Sequence, residues 1–295
     1  MSITVLPPTN DWIFKLLFGD ERNKSMLIDL LKSFVDLPEE EYELTFTDPY
    51  LKPEFEEDKM GILDVRVKTA SGQIINIEIQ VNPVKHIGRR LSFYKSKMIV
   101  EQMGKHDPYE KIQRVICVCI LSWALFPEVK EYLNRFRFHN RENDLCFEDI
   151  PEEIYTLELS KVPDANDGKR VWEWLQFLLA RTKEEFEMIA EVNPEIRKAT
   201  DVLYTLSADP AVRAEYDMRE KAWRDRVSQF HDAREEGIEK GIEKGRVEGR
   251  AEERVIWQGV VADKDAALAG KDAALAGKDA EIERLRAQLQ AKAGG

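Results

Sequence analysis

Two acidic residues stand out because the spacing around them would bring them together. Leu63, Val65 and Val67 alternate with Asp64, Arg66 and Lys68, and Ile75, Ile77, Ile79 and Val81 alternate with Asn76, Glu78 and Gln80. Two period-two runs joined by Ala70-Ser71-Gly72 predict a β-hairpin. With Gly72 left-handed at the end of a three-residue turn, Thr69 lies opposite Gln73. Val67 then faces Ile75, Val65 faces Ile77 and Leu63 faces Ile79, so every apolar residue meets an apolar one. The same register sets Asp64 opposite Glu78, with β-carbons about 5 Å apart. A two-residue turn would set Asp64 against Ile79 and mix the two faces, so the patterning selects the first register.

Like charges opposed on a sheet repel, and a cation between them removes the conflict. Two carboxylates on rigid strands offer hard oxygen ligands to Mg²⁺ or another divalent ion, with water and a substrate phosphate in the remaining positions. The Ile79 backbone carbonyl is a candidate third ligand. Gln80, on the same face as Glu78, can orient a water or a phosphate oxygen. The plainer alternative leaves Asp64 and Glu78 on the solvated face of an ordinary hairpin, screened by Arg66 and Lys68.

Other candidates lie on flanking helices. Arg90 and Lys97 fall seven apart on roughly one helical face, near Tyr94, and could grip a phosphate; alternatively they are a solvated face beside a core tyrosine. Asp11 and Lys15 sit one turn apart, either supporting the carboxylate pair from the first helix or forming an ordinary i,i+4 pair. The four histidines, at 86, 106, 139 and 231, lack ligand spacing. No glycine-rich phosphate loop is present.

Composition narrows the classes. The 295 residues carry 56 Asp and Glu against 44 Lys and Arg, a net charge of −12, which argues against a protein that coats nucleic acid by charge alone. Three cysteines cannot make a disulfide scaffold. Cys117 and Cys119 alternate inside an apolar run and Cys146 stands apart, as expected of reduced, buried thiols in a cytoplasmic protein. The N-terminus has no basic residue before Lys15 and no signal-peptide pattern. The longest apolar stretch, near Val115–Phe126, is too short to span a bilayer, so no membrane partner is expected.

The elements that must hold the carboxylates can be read around them. Asn10 precedes a short helix through Phe18, stopped at Gly19. From Lys24, the pairs Met26/Leu27, Leu30/Leu31 and Phe34/Val35 make a helical stripe. Residues 39–58 hold nine acids and enclose one strand near Leu44–Phe46. A helix from Ile87 to Met103 follows the hairpin, and the continuous apolar run Arg114–Leu121 predicts a strand buried on both faces. Shorter strands near Arg135–Phe138 and Ile154–Leu159 complete a sheet. Trp172 to Leu179 and Val202 to Leu206 read as helices, giving a mixed α/β architecture.

The chain ends in repeats. Four tetrads begin at Gly237, Gly241, Gly245 and Gly249, and each glycine costs a helix about 1 kcal/mol relative to alanine. Val261, Leu268, Leu275, Ile282 and Leu289 then recur every seven residues. That seam predicts either a weak coiled coil that makes a homo-oligomer or a solvated helix with little self-association.

At the hairpin the sequence resembles a known group. Asp64, Glu78, Ile79 and Gln80 are similar to the Asp…Glu-x-Lys core of the PD-(D/E)XK nuclease superfamily, with Gln80 in the lysine place. Asp11-Trp-Ile-Phe-Lys-Leu-Leu-Phe-Gly19, Asp64-Val-Arg-Val-Lys68, Asn76-Ile-Glu-Ile-Gln80 and Arg90-(x3)-Tyr94 together resemble the bacterial recombination-promoting nuclease (Rpn), or transposase-like, family. The likeness runs from about residue 8 to about 235.

It implies a restriction-endonuclease-like fold, a mixed sheet flanked by helices, in residues 1–160; the residue patterns add a helical extension over 161–235 and a long repetitive helical tail over 236–295, whose heptad part lies outside the likeness. It also implies divalent-metal-dependent cleavage of DNA, with Asp64 and Glu78 as metal ligands. Glutamine cannot act as a charged catalytic group, so Arg90 is the candidate to offset charge on the phosphate, with Tyr94 beside it. Two other readings stay open: a nuclease fold that has lost its chemistry and binds a partner protein, and cleavage of RNA.

Overall fold

The computed structural model describes residues 4–51, 61–62, 64–140, 142–143, 145–147 and 149–293. Leu63, expected opposite Ile79, lies outside the described residues. Helix α1 spans Asp11–Phe18, and the Asn10 side chain accepts from the Trp12 and Ile13 amides at its start. Gly19 ends it at a point where a β-carbon would lie 2.7 Å from the Lys15 carbonyl oxygen. Helix α2 covers Lys24–Lys32 and buries Met26, Leu27, Leu30 and Leu31.

Four short strands come next in the chain: β1 (Thr45–Phe46), β2 (Tyr50–Leu51), β3 (Gly61–Ile62) and β4 (Val65–Lys68). Strand β5 (Ile74–Gln80) pairs antiparallel with β4, setting Val65 against Ile77, Arg66 against Asn76 and Val67 against Ile75. Thr69 donates to the Gln73 carbonyl at 2.9 Å, and Gly72 has φ of 92°. This is the expected register and turn. It forms because only it sets the apolar Val65 and Val67 of β4 against Ile77 and Ile75 of β5, so that both strands bury the same face.

Helix α3 (Ile87–Val100) follows, then β6 (Val115–Leu121), which is buried along its whole length. Strands β7 (Leu133–Phe136) and β8 (Glu152–Glu158) complete a six-stranded sheet in the order β1-β4-β5-β6-β8-β7. Strands β5, β6 and β8 run parallel in its centre. Strand β8 begins two residues before Ile154, because Glu152 and Glu153 find cationic partners at its start. β2 and β3 pair separately.

The two faces of the sheet are covered differently. Ile75, Ile77 and Ile79 share a core with α1, α2 and the later helices α4 (Arg170–Leu179), α5 (Lys183–Ala190) and α6 (Pro194–Ala208). On the other face, Ile87, Leu91 and Met98 of α3 lie over Cys117, Cys119 and Leu121. Helix α5 lies in the stretch that reads as helical, but the pattern does not single it out as a separate helix; a reciprocal capping box between Thr182 and Glu185 starts it.

Residues 1–217 form one compact unit and 218–295 another. Helix α7 runs from Pro210 to Ala293, and from Met218 onward its apolar residues are exposed. Among the described residues no helix is long and apolar enough to cross a membrane.

Candidate functional site

Glu78 lies on the side of β5 that faces α3, in register with Cys119 of β6. It is 1% exposed, so the solvated-hairpin alternative fails. The expected screening is absent as well: Arg66 pairs with Glu101 at 2.9 Å, and Lys68 is exposed at the turn end of β4. Glu78 Oε1 accepts from Asn76 Nδ2 at 3.3 Å, whereas Oε2 is buried with no hydrogen-bond partner. Arg90 approaches Oε2 to 3.7 Å. Burial pushes the Glu78 carboxyl up to about 7; Arg90 opposes the shift and the nearby Asp64 charge adds to it.

Asp64 sits at a bend one residue before β4. Its Oδ2 accepts the Ile79 backbone N–H at 2.9 Å, so its own side chain ties it across from β5. Lys15 Nζ lies 3.1 Å from Oδ1. Burial raises the Asp64 pKa, and the Ile79 amide and Lys15 pull against that rise. Lys15 therefore turns from the first helix to the carboxylate, and Asp11 caps the Trp12 amide at 2.7 Å instead of pairing with it.

Arg90 and Tyr94 are one turn apart on α3, with the guanidinium 5.4 Å from the ring centroid. The Tyr94 ring packs against the layer formed by Ile74, Met98, Val115 and Cys117. It is thus a core tyrosine and also the platform under Arg90. The Lys97 ammonium is buried without a hydrogen-bond partner among the described residues, 5.3 Å from the Phe93 ring centroid, and no ion pair joins it to Asp64 or Glu78. Gln80 ends β5 on the Glu78 side, half-buried, and its carbonyl accepts from Ser122 at 3.1 Å.

A second buried carboxylate makes a useful contrast. Glu153 on β8, also 1% exposed, points to the main core and is clasped by Arg114, Arg135 and Arg137. Its oxygens are saturated with guanidinium donors, and its role is to tie β6, β7 and β8 together. Glu78, by contrast, keeps an oxygen without a donor. Cys117 and Cys119 are inert: burial, with Glu78 nearby, pushes Cys117 up to about 12 and raises Cys119 too.

Among the described residues no group of three or more His, Cys, Asp and Glu could hold a metal ion. The candidate donor set is therefore two carboxylates with neutral oxygens beside them. An orphaned, buried carboxylate oxygen within electrostatic reach of a second carboxylate fits a hard divalent cation that keeps several waters. Sequence reasoning missed Asn76 as the holder of Glu78 and could not decide the partner of Lys15. The alternation that places Asn76 two residues before Glu78 carried the first signal.

A family model described as a PD-(D/E)XK nuclease family transposase matches residues 8–233. No curated protein and no solved structure gives a match.

Proposed function

Since this chain belongs to the PD-(D/E)XK nuclease family transposases, we propose that it is a divalent-metal-dependent DNA endonuclease whose centre is Asp64, Glu78 and the end of β5. The observation that carries this reading is the buried Glu78 oxygen that no donor satisfies, on a carboxylate that the Asp64 charge reaches. Asp64, Glu78 and the Ile79 carbonyl would hold the cation, Mg²⁺ or a similar ion. Such a cation supplies Lewis acidity to a phosphodiester and to water.

The rest falls to the chain itself. Asn76 fixes Glu78 through Oε1, and the Ile79 amide fixes Asp64 through Oδ2. Gln80 orients the attacking water with its neutral amide. Arg90, braced on Tyr94, offsets the charge that develops on the phosphate. The heptad seam of α7 would join two copies of the chain.

Plasmid nicking with purified protein across several divalent ions tests the reading. Asp64→Ala and Glu78→Ala should each abolish metal-dependent cleavage while the protein stays folded. Cleavage unchanged in both variants would reject it. A folded wild-type protein that binds no divalent ion and cuts neither DNA nor RNA would favour the rival reading, in which Gln80 marks a fold that has lost its chemistry and binds a partner protein.

A further inference from the structure

Each carboxylate of the site has its own organic cation. Asp64 has Lys15 at 3.1 Å, and Glu78 has Arg90 at 3.7 Å. With both carboxylates ionised, these four side chains sum to zero charge without any metal. A divalent cation would raise the sum to plus two, in a place where Lys15 already holds Asp64 Oδ1 and Arg90 stands 3.7 Å from Glu78 Oε2.

The two cations are not held alike. Arg90 is braced on Tyr94. Lys15 sits at the end of a four-carbon stem, with its side chain 32% exposed, and Asp64 is its only ion-pair partner among the described residues. Lysine is a compact point charge that can swing about its stem, whereas a stacked guanidinium cannot move without losing its platform. Asp64 Oδ1, the atom Lys15 occupies, is also the oxygen left over once Oδ2 accepts the Ile79 amide.

We propose that Lys15 is a resident counter-ion: it neutralises Asp64 in the metal-free site, yields Oδ1 to an incoming divalent cation, and then presents its ammonium to the phosphate of the nucleic acid. This rests on the function proposed above, and it puts on α1 the positive charge that Gln80 cannot supply on β5. Lys15 then offsets the Asp64 charge in the metal-free site, and the loaded site becomes positive only when an anionic backbone is to be bound.

The test uses Ca²⁺ as the probe, with the whole protein and no cleavage. Amine-acylation footprinting by mass spectrometry should show Lys15 labelling rise at least about threefold when Ca²⁺ is added, as an ion-paired amine is released to solvent. Calorimetry should show Lys15→Gln binding Ca²⁺ about threefold or more tighter than wild type, because no ammonium competes for Oδ1. DNA affinity of the Ca²⁺-loaded Lys15→Gln protein should fall, and Lys15→Arg should restore part of it. Ca²⁺ binding with unchanged Lys15 labelling would overturn this inference alone and leave the nuclease reading standing. Failure of the wild-type protein to bind Ca²⁺ at all would overturn both. The labelling arm uses unaltered protein, so it decides the matter even if Lys15→Gln misfolds.

Discussion

Arg90 Nη2 stops 3.7 Å from Glu78 Oε2, beyond hydrogen-bond range, although that oxygen has no donor. A carboxylate kept apart from its counter-ion in a dry layer loses more by desolvation than it regains by attraction, and its carboxyl sits at about 7. In the proposed function, the oxygen that this arrangement leaves without a donor is the one a divalent cation would take.

Stability should therefore fall as pH rises when no metal is present. Glu78 has a folded pKa above its unfolded value of 4.5, so the folded state holds the extra proton between the two. The stabilisation is complete below the unfolded pKa and is lost as pH climbs through about 7. Its size is on the order of 3 kcal/mol. Asp64, raised by burial too, pushes the same way. Urea unfolding in chelator at about pH 5 and about pH 8 measures the effect, and Glu78→Gln should flatten it. A Glu78→Gln profile with the wild-type slope would show that Glu78 does not titrate in this window.

Protons and divalent ions should compete for the same carboxylate. Ca²⁺ affinity is expected to weaken by up to about tenfold per unit as pH drops below about 7. Asp64→Asn keeps an oxygen for the Ile79 amide, so the hairpin should survive. It removes one ligand charge, and Ca²⁺ affinity should drop by roughly a hundredfold. Calorimetry at several pH values checks both expectations, and the change of the observed heat with buffer ionisation enthalpy counts the protons released on binding.

Arg90 and Tyr94 divide one task between them. Arg90→Gln should lower the single-turnover cleavage rate by about a hundredfold, with Ca²⁺ affinity no weaker than wild type. Tyr94→Phe keeps the ring under the guanidinium and should stay within about twofold of wild type. Tyr94→Leu removes the platform and should approach the Arg90→Gln rate. A large loss in Tyr94→Phe would mean that the hydroxyl takes part directly.

What the sequence could disclose follows the range of each interaction. The hairpin register was legible because period-two patterning and a turn glycine act over a few residues, and Val65–Ile77 and Val67–Ile75 pair accordingly. The depth of Glu78 was not, since its burial is imposed by α3, whose own stripe of Ile87, Leu91 and Met98 says nothing about what lies beneath it. Lys15 had a plausible local partner in Asp11, and only the fold brings Asp64 closer. The start of β8 was misplaced because Glu152 and Glu153 look like loop residues until Lys95 and three arginines are seen around them. The capping box of α5 was locally readable in Thr182 and Glu185.

The tail gives the last expectation. Val261, Leu268, Leu275, Ile282 and Leu289 are all exposed along α7. A helix of 84 residues with no tertiary contact on that stripe gains little from burial unless another helix covers it. The glycines at 237, 241, 245 and 249 have open space where a β-carbon would go, so no packing among the described residues requires them. If the seam joins two copies as proposed, light scattering should find the wild-type chain dimeric and the double variant Leu268→Glu, Leu275→Glu monomeric, with Ca²⁺ affinity at Asp64 and Glu78 unchanged; a monomeric wild type would reject the seam as a contact. Gly241→Ala should raise helix stability by about 1 kcal/mol and leave the dimer intact if the heptad seam is the contact. Loss of the dimer on Gly241→Ala, with the leucine variant still dimeric, would move the contact to the glycine face.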